Sequence, residues 1–336
     1  MINKRNHMVE LLRFVAASYV AIFHFNETVP YIANWYRASL KLGYLGVPAF
    51  FVISGYCIQI AAAHAHNPKD FIIRRFFRVF PAYWLSMAIV LSVVAFEIIV
   101  FGVNSVTPLP KSVTGILATL TLLTTPFSNV RVINWVYWTL TYELFFYLIT
   151  FISLTIPERY RFYLFVVISA LVLVLPMHEH WPLFFLQHWP AFGLGTVLYR
   201  MLHQADKFTF QNLALLTLST VGLFTLIYLP YYAAACLVTT GLITLNNFKP
   251  MKGGFLTSLG DYSYSLYLIH VPLGVYALGA VKQIDYVKQH IWVNCLWDLT
   301  LLAILYVLSY IIFKKIELPS IRFGKKLTDV TRKAAV

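Results

Sequence analysis

Apolar runs fill this chain so densely that a bundle of membrane-embedded helices is the fold that accommodates them. The 336 residues are 60% hydrophobic and 12% charged, with a mean hydropathy of +0.71. A soluble domain carries about twice that share of charge. With about 18 apolar residues taken as one crossing, ten candidate spans emerge, at about 8–27, 43–63, 79–101, 135–156, 162–177, 186–203, 210–228, 229–247, 257–280 and 291–313. In a bilayer every backbone polar group must be satisfied within the protein, which favours helices. The expected fold class is therefore all-α, a polytopic integral membrane bundle of about ten transmembrane helices. The seventh and eighth spans are separated only by Leu229, Pro230 and Tyr231, and Ile116–Leu123 is too short to cross. That short stretch reads as re-entrant or interfacial.

The longest hydrophilic stretches, about 102–134 and 314–336, are too short to fold alone. Residues 1–336 are thus expected to form a single membrane domain with a short basic tail from about 314, no fused soluble domain and no cleavable signal peptide. With the N-terminus in the cytoplasm, nineteen of the 26 basic residues fall in cytoplasmic segments, six fall outside, and Arg13 lies within the membrane. Lys4, Arg5, Lys69 to Arg78 and the C-terminal tail carry much of that excess. The bias sets both termini in the cytoplasm and suits an inner, cytoplasmic membrane of a bacterium. The net charge of +13 is mostly this topology signal. The basic residues are scattered over loops, so no nucleic-acid partner is expected; membrane lipids are. Cys57, Cys236 and Cys295 all lie in spans and read as inert buried thiols.

Two costly residues share the first span, LLRFVAASYVAIFHF. An arginine there costs about 2.5–3.5 kcal/mol on insertion scales and persists only when it pairs or faces a cavity. Eleven residues separate Arg13 from His24 in number. At 100° per residue that returns to nearly the same helix face, about 16 Å further along. Four further signatures accompany the pair: GVPAFFVISGYCI with Ser54-Gly55, FIIRRFFRVFPAYW with Arg75 and Arg78, WVYWTLTYELFFY with Glu143, and GDYSYSLYLIHVP ending near His270.

In this order, from about residue 5 to about 320, these motifs resemble acyltransferase family 3, the integral-membrane acyl-CoA-dependent O-acyltransferases of surface polysaccharides. The resemblance implies that His24 is catalytic, with Arg13 on its helix. It also implies that the Arg-x-x-Arg pair, Arg75 and Arg78, serves the acyl-CoA. The W-x-L-x-x-E pattern matches Trp138, Leu140 and Glu143, and Ser263 to His270 match the SYSLYLIH stretch.

Residue chemistry supports these roles separately. Arg75 and Arg78 are neighbours on a helix, with Arg74 beside them. Guanidinium forks suit phosphate oxygens. Phosphates held at the cytoplasmic face would send the pantetheine arm of coenzyme A into the bundle, towards His24. The alternative is that these arginines only enforce topology and bind lipid headgroups. His24 is the best general base, able to take a proton from an acceptor hydroxyl; the alternative is a structural polar contact. Arg13 could touch the donor or pair with an acid. Glu143, also expected to be catalytic, could orient His24, bind the acceptor, or neutralise Arg13 as an ion pair. Ser54, Tyr142, Tyr267 and His270 are candidate pocket-lining residues, with interhelical bonding the expected role of His270.

His64-x-His66 and His178-x-His180 lack a further ligand set, so no metal is expected. Trp135, Trp138, Trp181, Trp189 and Trp292 read as interfacial anchors, Phe192-Gly-Leu-Gly195 as helix packing, and Glu317 as structural. The expected activity is transfer of an acyl group, acetyl in the first instance, from cytoplasmic acetyl-CoA (acyl-CoA) to a hydroxyl of a glycan or lipid-linked glycan acceptor, such as exopolysaccharide or O-antigen. Acyl-CoA is a substrate in this reading, and no cofactor is permanently bound. The rival class is a proton-coupled secondary transporter or translocator of a sugar-containing substrate. The absence of an internal repeat between the halves weighs against it.

Overall fold

Asn6 starts the first helix by accepting the Val9 N–H, and α1 then runs from His7 to Glu27. Arg13 and His24 therefore lie on one continuous helix, with His24 in its last turn. The computed structural model describes residues 6–102, 107–175, 183–204, 206–226 and 230–334; Lys4, Arg5, His178, His180, Trp181 and Leu229 lie outside them. Among the described residues every regular element is helical.

After α1 come a short helix α2 (Trp35–Leu40), α3 (Gly46–Ala63) and the long α4 (Pro68–Phe101). Asn67 caps α4 by accepting the Asp70 N–H, Pro68 occupies its first turn, and Gly102 ends it at φ +73°. The short apolar stretch near 116 forms α5 (Val113–Thr121), nine residues long and too short to cross. Then follow α6 (Trp138–Thr155), α7 (Glu158–Val174), α8 (Trp189–His203), α9 (Phe210–Leu226) and α10 (Pro230–Phe248). The expected ninth span is one continuous helical stretch whose pitch changes along it: α11 (Phe255–Leu259), a 3₁₀ turn (Gly260–Tyr262), α12 (Ser263–Ile269) and a π-helical stretch, His270–Ala277. The short α13 (Asp285–Gln289) leads into α14 (Ile291–Ile312), and a π-helical turn joins that to α15 (Leu318–Ala334).

Five helical stretches among the described residues are long and apolar enough to cross a membrane: His7–Glu27, Trp35–Ala63, Pro68–Phe101, Trp135–Thr155 and Ile291–Asp329. The helices α7, α8 and α9 are shorter, at 17, 15 and 17 residues. Gly260, in the 3₁₀ turn of the ninth span, admits a close neighbour. A Cβ at Gly260 would lie 2.0 Å from the Glu10 carbonyl oxygen, so α1 runs directly against this turn. Pro272 then supplies no N–H to the helix after His270.

Small residues set the closest helix contact. A Cβ at Gly195 would lie 2.0 Å from the Val52 carbonyl oxygen, and one at Gly55 would lie 2.3 Å from that of Phe192. The Phe192–Gly195 stretch is thus helix packing, α8 against α3. Trp189, expected at the interface, is instead 1% exposed and donates its indole N–H to Ser169 at 2.8 Å. Trp292 is 71% exposed.

A buried polar network holds the C-terminal end of α1. Asp298 of α14 is fully buried and accepts from Asn26 at 2.8 Å, Tyr36 at 2.7 Å and Lys282 at 2.5 Å. Arg37 donates to the Asn26 side chain and to the Asn26 and Val29 carbonyls. Burial lowers the Lys282 ammonium to about 8, against the pull of Asp298. Asp298 sits in a predicted span, which was the available signal for this network.

Candidate active site

The central cavity is built where α1, α3, α4, α6 and α12 meet. Its wall carries Arg13, Ser54, Arg75, Arg78, Glu143 and Tyr267, residues contributed by five separate segments of the chain. Tyr147, Thr139, Ser263 and Tyr264 complete its polar lining. The cavity encloses about 780 Å³ of empty space, part of it open to solvent. An apolar side lobe continues from Arg75 and Glu143 past Ile72, Phe76, Phe80 and Leu144.

The three arginines are not equivalent. Arg78 is committed to Glu317, which it meets at 2.6 Å, and Glu317 is fully buried and accepts a second bond from Ser265 at 2.8 Å. Arg75 forms no ion pair among the described residues. Its guanidinium lies 5.8 Å from the Phe71 ring centre and 5.6 Å from that of Tyr147, and its buried Nε has no hydrogen-bond partner. Arg13 lines the same cavity, within electrostatic reach of Glu317. Arg74 points elsewhere, donating to Thr328 at 2.9 Å and meeting Asp329 at 3.2 Å. An anion entering the cavity therefore meets the unpartnered Arg75 face and Arg13, against a fixed Arg78–Glu317 pair.

Glu143 has different partners from those expected. Its Oε1 accepts from Tyr147 at 2.5 Å and from Ser54 at 3.4 Å. Among the described residues it forms no ion pair with Arg13 and no hydrogen bond with His24, because α6 turns it into the cavity while His24 sits at the far end of α1. Tyr147 was not anticipated as a site residue. Its position four residues after Glu143 on one helix was the available signal. Tyr142 faces away from the cavity, bonding Gln187 at 3.2 Å and packing on His188.

His24 does not line the cavity. Its Nδ1 lies 2.7 Å from Glu27 Oε2, and its ring is flanked by Phe23, Trp135 and His270 at 4.9, 5.9 and 5.3 Å between centres. His270 is 1% exposed, and its Nδ1 donates to the Tyr267 carbonyl at 2.7 Å on its own helix. That intrahelical bond replaces the expected interhelical one, and the buried Nε2 has no partner. Tyr267 joins the two regions. It lines the cavity, and its ring lies 5.6 Å from that of His270. Its hydroxyl is held by the Val136 carbonyl and Thr139, each at 2.6 Å. Cationic cavity, Tyr267, His270 and His24 thus follow one another along the bundle. No group of three or more metal-ligating side chains occurs among the described residues.

The BcsY protein of Komagataeibacter xylinus, provisionally described as a membrane-bound transacylase, is 35% identical over 88 residues. That alignment covers 26% of this chain and about one fifth of the relative's length. No solved structure matches. A family model described as an acyltransferase domain matches residues 6–314, nearly the whole length over which the motifs recur. The chain therefore belongs to that acyltransferase family, acyltransferase family 3, and is a membrane protein of it.

Proposed function

We propose that the protein moves an acyl group, acetyl in the first instance, from acyl-CoA on the cytoplasmic side of a bacterial inner membrane to a hydroxyl of a surface or lipid-linked glycan. Ten crossings with both termini in the cytoplasm complete this reading. The observation that carries it is the sequence of groups along the bundle: a cavity with Arg13 and Arg75 in its wall, then Tyr267, His270 and His24. The phosphates of the donor would sit on Arg75 and Arg13, and the pantetheine arm would extend towards His24. His24 takes the proton of the acceptor hydroxyl as its oxygen attacks the thioester carbonyl. The new C–O bond forms, the C–S bond breaks, and the imidazolium returns the proton to the departing thiolate. The products are the O-acyl glycan and free coenzyme A. Glu143 tunes the donor side through Tyr147 and Ser54 rather than touching His24.

The test uses purified protein with acyl-CoA and the native cell-surface glycan. His24→Ala should abolish acylation, read as a missing acyl mass on the glycan, while leaving insertion and thermal stability unchanged; substantial residual activity refutes the assignment. Arg75→Ala should weaken acyl-CoA binding by about 10- to 100-fold, the loss of one or two charge-assisted bonds. Acyl-CoA at a hundredfold its Kd should also stabilise the wild type by about 2.7 kcal/mol. A transporter of sugar-containing substrates would show no such stabilisation.

A further inference from the structure

We propose that Glu27 is the positioning carboxylate of His24, holding the imidazole in the tautomer that leaves Nε2 free to act as the base. The proposal rests on the reading of His24 as general base. Glu27 Oε2 lies 2.7 Å from His24 Nδ1. A carboxylate oxygen is an acceptor, so Nδ1 carries the hydrogen in this contact. Nε2 then presents its lone pair, and the carboxylate faces the positive charge that develops on the ring when Nε2 takes a proton.

Three further observations favour a held pair over a loose surface contact. Asn26, between the two residues in sequence, is 4% exposed and is fastened to Asp298, Arg37 and Asn294, so the turn carrying Glu27 is anchored in the buried network. His270, the facing imidazole, has its Nδ1 hydrogen on a backbone carbonyl and supplies no second proton to His24. Glu143, the other carboxylate considered for His24, is bonded to Tyr147 and Ser54. The groups facing His24 from the surrounding elements are thus Glu27, His270, Trp135 and Phe23, and Glu27 alone among them is an acid. Glu27 also lines an open groove with Phe23, Asn26, Tyr31, Arg37 and Lys41.

In the transfer step, the hydrogen stays on Nδ1, where Glu27 accepts it in a hydrogen bond throughout. The acceptor proton goes to Nε2 and then to the leaving thiolate. Glu27→Ala should lower kcat by about 10²- to 10⁴-fold, with the acyl-CoA KM changed less than about twofold. Glu27→Asp should recover part of the loss and Glu27→Gln less. Nitrogen-15 resonances of the ring should show His24 as the Nδ1–H tautomer in wild type and as a mixture in Glu27→Ala, which removes the acceptor, a readout that a purely structural role would not move. The proposal is overturned if Glu27→Ala keeps kcat within about threefold of wild type while His24→Ala is inactive, or if the tautomer is unchanged in Glu27→Ala. Activity retained in His24→Ala would instead remove the base assignment on which the proposal stands.

Discussion

The two arginines of the Arg-x-x-Arg motif do different work, and the difference lies in one distant carboxylate. Arg78 neutralises Glu317, which is fully buried, whereas Arg75 lies beside aromatic rings and forms no ion pair among the described residues. Removing one member of a buried pair leaves an uncompensated charge, at about 3–5 kcal/mol. Arg78→Ala should therefore lower thermal stability strongly, and Arg78→Ala combined with Glu317→Leu should recover much of it. Arg75→Ala should leave stability nearly unchanged while weakening the donor. A thermal melt of the three variants separates the cases. The motif itself was legible, since residues three apart share a helix face. Its division of labour was not, because the partner arrives from the π-helical turn after α14, far along the chain. The same holds for Arg13, whose cavity was inferred from its cost in an apolar run, and for Glu143, whose partner Ser54 is met only when α6 packs on α3, while its other partner, Tyr147, stands four residues on along α6.

Among the elements, the contact of α3 with α8 depends on absent side chains. Gly195 faces the Val52 carbonyl so closely that even a methyl group must move the backbone. Gly195→Ala should shift α8 off α3 and destabilise the protein by about 1–3 kcal/mol. It should also disturb Ser54, which lies beside Gly55 and donates to Glu143. Lowered melting temperature together with weaker acyl-CoA binding is the expected result. These glycines were readable as packing positions from their spacing, but which helix they face was not. The change of pitch in the ninth span was also hidden. Its hydropathy runs through α11 and α12 without interruption and does not reveal that Glu10 of α1 lies against Gly260. The same span continues as a π-helical stretch, beginning at His270. Such stretches are often found at functional sites.

For the molecule as a whole, apolar composition announced an all-helical membrane protein, and the order of its motifs announced its family. Five stretches meet the length and hydropathy expected of a crossing. The helices α7, α8 and α9 fall short of that length, and α8 is buried from Trp189 to Leu198. Hydropathy measures what a segment would tolerate in lipid; it does not say whether lipid or protein surrounds it.

Tyr267 stands between the cationic cavity and the two imidazoles, with its hydroxyl fixed on Val136 and Thr139. Any enzyme that admits a large charged molecule deep into a bilayer risks making a hole in it. A wall of packed side chains at Tyr267 keeps a passage for a donor from becoming a leak for protons across an energised membrane. Replacing it by alanine should make vesicles containing the protein dissipate a pH gradient faster, as followed with an enclosed pH-sensitive dye. Wild-type vesicles should hold the gradient, so the barrier function of the bilayer becomes part of what this tyrosine maintains.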